Sequence, residues 1–61
     1  MKPTVNRDVK MPKKMLEALT LFETYCVIFN KNETTNEEVK AFITKHYNKN
    51  ISDKFNDEYL Y

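Results

Sequence analysis

The sequence contains no glycine and no tryptophan, and only one cysteine and two prolines in 61 residues. Without glycine there is no Walker A loop, no dinucleotide-binding fingerprint and no Gly-rich anion cradle. A single Cys excludes an internal disulfide and every metal motif built from several cysteines, and it suits a reducing compartment. No apolar run approaches the ~18 residues a bilayer requires, so no membrane partner is expected. Residues 1–14 carry charges without a following small-residue cleavage site, which predicts a cytoplasmic protein with no secretory signal. An excess of one charge is missing too, since 10 Lys plus Arg face 9 Asp plus Glu for a net charge of +1.

The small net charge conceals an uneven distribution. Lys2, Arg7, Lys10, Lys13 and Lys14 against Asp8 make the first 14 residues strongly basic, whereas 15–52 and 53–61 are both slightly acidic. A basic arm on an acidic body can reach toward a polyanion, or it can be a solvated terminus. A chain of this length buries only about 60% of its unfolded surface, which favours completion by a second chain. The abundance of Lys, Asn and Tyr suits an AT-rich genome or a mobile element.

The patterning predicts an all-α, single-domain chain of two or three helices, preceded by a basic arm or short strand over 1–11. Pro12 is preorganised for a helix start, and a first helix is expected over 12–30. At about 100° per residue its apolar positions fill half the circumference, wider than one short partner helix covers. Leu21, Phe22, Tyr25, Ile28 and Phe29 are therefore candidates for a partner or dimer interface. Asn30 can replace glycine at a left-handed helix end. Thr34 with Glu37, or Thr35 with Glu38, has capping-box spacing and opens a second helix over 34–48. Val39, Phe42, Ile43, His46 and Tyr47 form its narrow apolar stripe. Ser52 and Asp53 can cap a short third helix or begin a docked tail over 52–61.

Catalytic chemistry is sparse. Cys26 sits in the middle of the apolar arc and reads as a small core residue; His46 lies on the second helix's apolar stripe and reads as a packing histidine. Glu37 and Glu38 are adjacent on a helix, pointing about 100° apart, and the cap explains them. No catalytic residue, metal ligand, cofactor or small-molecule substrate is expected, and a non-enzymatic recognition protein is.

Val9-Lys-Met-Pro-Lys-Lys-Met-Leu-Glu-Ala-Leu19 joins an alternating segment to a helix through a hydrophobe and Pro12. It resembles the strand-to-helix junction of ribbon-helix-helix transcriptional regulators. The resemblance implies a homodimer whose strands pair into an antiparallel ribbon that enters the DNA major groove. Asn6, Asp8 and Lys10 would then face base edges, Lys13 and Lys14 would join them as nucleic-acid-binding residues, and Thr34 or Thr35 would mark a phosphate-binding helix start. The alternative expectation is a helical hairpin that docks its surplus apolar face on a partner protein and modulates it.

Overall fold

A computed structural model describes all 61 residues. Helix α1 spans Lys13–Ile28, α2 Asn36–His46 and α3 Lys49–Asp53, and a single 3₁₀ turn covers Asp57–Tyr59. Pro12 stands just outside α1 with φ −57° and ψ 148°, and its carbonyl accepts the Leu16 amide at 3.0 Å. The 16 residues of α1 contain neither proline nor glycine, so nothing interrupts its ladder. It ends at a Schellman motif, two residues short of the expected boundary. Asn30 is the one residue with positive φ, at 55°. Its amide donates to the Val27 carbonyl at 3.2 Å, and the Lys31 amide reaches back to Cys26 at 2.8 Å.

Of the two Thr spacings, only one caps. Thr35 is extended and its hydroxyl accepts the Glu38 amide at 3.3 Å. Thr34 is instead buried in the turn, where its amide donates to the Met1 carbonyl at 2.9 Å and its own carbonyl accepts the Met1 amino group at 3.0 Å. The box is half made, because the Glu38 carboxylate pairs with Lys31. Helix α2 runs from Asn36 to His46, inside the expected 34–48, with Glu37 and Glu38 in its first turn and Lys45 and His46 in its last, matching the helix dipole at both ends.

The third helix begins earlier than expected. Asn48, not Ser52 or Asp53, is its cap, accepting the Ile51 amide at 2.9 Å. Ser52 lies within α3, and its buried hydroxyl donates to the Lys40 carbonyl at 3.0 Å, tying α3 to α2. A buried hydroxyl needs a partner, and the α2 backbone supplies it.

The N-terminal segment is extended only near its start. Its chain pairs antiparallel with the C-terminus through a single Val5–Leu60 bridge. Lys2 donates to Tyr61, Tyr61 to Thr4 and Asn6 to Tyr59, at 2.6, 3.1 and 2.8 Å. The chain then turns at Arg7 and Asp8, so residues 4–11 are not one continuous strand. Arg7, the polar residue on the otherwise apolar side, reaches Glu23 of α1 at 3.3 Å. The same carboxylate accepts the Val5 amide at 3.1 Å, clamping the arm to the helix.

The core is where these elements meet. Met15, Ala18, Leu19, Phe22 and Cys26 supply one stripe of α1, Val39 and Ile43 supply α2, and Val5, Phe55 and Leu60 close it from the two ends. No helix is long and apolar enough to cross a membrane.

Candidate interaction surface

The buried stripe uses only part of the apolar half of α1. Leu21, Tyr25 and Ile28 recur at i, i+4 and i+7, one flank away from the stripe, and stay in contact with solvent. Ile28 is 71% exposed and Phe29, the C-cap of α1, 67%. Phe22 was expected in this interface, but it faces the molecule's own core at 2% exposure. It acts as the floor of the surface rather than as a contact.

Helix α2 extends the surface. Tyr25 packs against Phe29 with ring centroids 4.7 Å apart and against Phe42 at 5.4 Å, and Phe42 in turn meets His46 at 4.3 Å. Phe22 supports Phe42 edge-on at 5.1 Å. The result is an aromatic ridge running from the end of α1 across to the last turn of α2. Rings that support one another lose little rotamer freedom on binding, which suits them as contact residues. Phe42 and His46 were placed on an apolar stripe by sequence alone; their partnership with Tyr25 depends on how the two helices cross. Covering Ile28 and Phe29 would stabilise a complex by roughly 1.5–3 kcal/mol for each fully buried side chain.

The expected nucleic-acid residues separate into two groups. Lys10, Lys13 and Lys14 are exposed around the start of α1, whose first turn carries no acidic residue. Asn6 and Asp8 are held in the turn of the arm. The Asn6 side chain donates to the Glu58 carbonyl at 3.2 Å and accepts the Asp8 amide at 3.2 Å. Thr35 has an exposed residue surface but its hydroxyl serves α2, and Thr34 is buried. The lysines are thus exposed together near the start of α1, Asn6, Thr34 and Thr35 are engaged within the fold, and Asp8 is tied only through its backbone amide.

Two groups depart from their ordinary ionisation. Burial pushes the Cys26 thiol up, with Lys31 opposing and Glu38 reinforcing the shift; the residue is 1% exposed, as a packing cysteine should be. Hydrogen bonding to Glu38 raises Lys31, against a smaller opposing effect of desolvation. No group of three or more His, Cys, Asp or Glu side chains converges as a metal site would require. An open polar cleft of about 660 Å³ lies between the arm and α1, lined by Lys2, Thr4, Glu23, Asn30 and Lys31 among others. Glu23 there is already engaged with the Val5 amide and Arg7.

No family model matches the chain, and neither does any curated protein or solved structure.

Proposed function

We propose that the chain is a small non-enzymatic interaction module that acts by docking the ridge of Leu21, Tyr25, Ile28, Phe29 and Phe42 on another polypeptide. The observation that carries this reading is the exposure of Ile28 and Phe29 beside a supported aromatic row, on a molecule with few residues in its core. Contiguous apolar surface of this kind mediates contact between proteins. A photo-crosslinking side chain at Ile28 should form covalent products with another chain in producing cells, whereas the same group at the exposed Thr44 on the far side of α2 should not. Equal products at both positions, or none at either, would overturn the reading.

A second reading is favoured by one specific observation, the exposed lysine cluster at 10, 13 and 14. It makes the chain a DNA-binding regulator of ribbon-helix-helix type, acting in the cytoplasm as a homodimer. An antiparallel ribbon would require the arm to leave Leu60 and Tyr61, because the amides of Lys2 and Asn6 are already bonded there. Fluorescence anisotropy on duplex DNA at low salt tests it. Binding that weakens with salt and is lost in Lys10→Ala/Lys13→Ala/Lys14→Ala supports it; absence of binding removes it.

A further inference from the structure

We infer that the occupant of the ridge is a second copy of the same chain, related by a twofold axis that crosses α1 between Leu21 and Tyr25 and brings the two α1 helices together antiparallel. This rests on reading the ridge as a docking surface and names its partner.

The charges around the ridge carry the inference. Helices α1 and α2 are joined by a short turn, so the start of α1 lies toward the end of α2, and the end of α1 lies beside the start of α2. At the first end stand Lys10, Lys13, Lys14 and Lys45 against the single Glu17, a net charge of +3. At the other stand Glu33, Glu37 and Glu38 against Lys31 and the Met1 amino group, which is docked on Thr34 beside Glu33, a net charge of −1. The apolar row lies between the two ends. A parallel copy would set like charges against like. An antiparallel copy sets each basic end against an acidic end, and it does so twice because a twofold contact is isologous.

Register follows from the spacing of the row. With the axis between Leu21 and Tyr25, Leu21 packs against the partner's Tyr25 and the reverse, and Ile28 lies beyond the partner's Leu21, toward the start of its α1. Lys14 lies about 10 Å before Leu21 along the helix at 1.5 Å per residue. It thus extends toward the turn after the partner's Tyr25 end, where Glu33 is 76% exposed. Glu38 is already bound to Lys31, whereas Glu33 keeps only a 4.0 Å contact with the Met1 amino group and can turn toward Lys14. An interface of ordinary size takes about 800 Å² from each partner. That is about a fifth of the 4244 Å² that the chain exposes.

Sedimentation equilibrium of the whole chain, followed by variants, tests the inference. The wild type should sediment as a monomer–dimer equilibrium. Ile28→Glu should weaken it by at least about 100-fold, since two buried side chains are replaced by charges. Tyr25→Glu is the second variant, and for both the far-UV CD spectrum must remain that of the wild type. Lys14→Glu should weaken association by about 2- to 30-fold, the effect of losing two exposed ion pairs, and Lys14→Glu/Glu33→Lys should restore it. Leu21→Cys mixed with Tyr25→Cys should form a disulfide-linked dimer on mild oxidation faster than either protein alone, with Cys26 silent in the core. A chain that stays monomeric at millimolar concentration, a dimer indifferent to Ile28→Glu and Tyr25→Glu, or a mixed pair no faster than the separate ones overturns the second-copy assignment. Where that happens and the Ile28 photo-crosslink still captures a different protein, the docking reading survives; where no crosslink forms, both fall.

Discussion

Replacing Glu23 by Ala should unfasten the N-terminal arm from α1. The carboxylate accepts the Val5 amide at 3.1 Å and faces the Arg7 guanidinium at 3.3 Å. Val5 is 2% exposed, so its amide would be left unpaired inside the molecule at a cost of about 1–3 kcal/mol. The Arg7 side chain is 59% exposed, which limits the ion pair to about 1 kcal/mol or less. Together the loss is about 1–4 kcal/mol, a large part of the ~3–9 kcal/mol expected for 61 residues. It corresponds to a melting temperature lower by roughly 5–30 °C. Glu23→Gln keeps an acceptor for Val5 and should cost only about 1 kcal/mol. Arg7→Ala should cost less still, and its effect should fade at high salt. Urea unfolding followed by far-UV CD gives the free energies, and hydrogen exchange at the Val5 amide reports the clamp itself. A Glu23→Ala protein within about 0.5 kcal/mol of wild type, with Val5 still protected, would refute the assignment.

Three further outcomes are expected. Thr35→Ala should destabilise the chain by about 1 kcal/mol in urea unfolding through loss of the α2 cap. Asn30→Gly should leave stability unchanged or raise it by up to about 1 kcal/mol, because glycine tolerates the 55° φ freely, whereas Asn30→Val should lower it by about 1–2 kcal/mol. The raised Cys26 thiol binds its proton more tightly folded than unfolded. Its contribution is therefore complete below the ordinary thiol pKa of about 8.5 and declines as pH climbs through the higher folded value. Cys26→Ala should show a flatter loss of stability in that alkaline range, and native Cys26 should react with a thiol reagent far more slowly than in urea.

Local signals were legible where a residue acts on its own neighbours. Pro12 and Asn30 bracket α1 because proline fixes its own φ and asparagine tolerates a positive one, and the Thr35 cap spans only three residues. The half-circumference apolar face of α1 also pointed correctly to more surface than the molecule covers. What could not be read were the roles set by distant partners. Ser52 looks like a cap in sequence but has the Lys40 carbonyl above it, twelve residues away. Thr34 matches Thr35 in spacing, yet the docked Met1 removes it from the surface. Phe22 and Tyr25 are both apolar positions on one arc, and only the helix crossing decides that one becomes floor and the other ridge. Arg7 breaks the alternation of the arm because Glu23, far along the chain, gives it a place.

The join between the two ends of the chain also bears on the order of folding. Asn6 and Glu58 meet across 52 residues, so their contact requires closure of nearly the whole chain, while the α1–α2 hairpin and the α2–α3 corner form from neighbours. Loop-closure entropy places such a contact late, after the barrier that the helices set. Loosening Val5 or Leu60 would then quicken unfolding and leave the refolding rate nearly unchanged. The N- and C-terminal segments thus act as a kinetic latch, setting how long the helices stay assembled more than how fast they assemble.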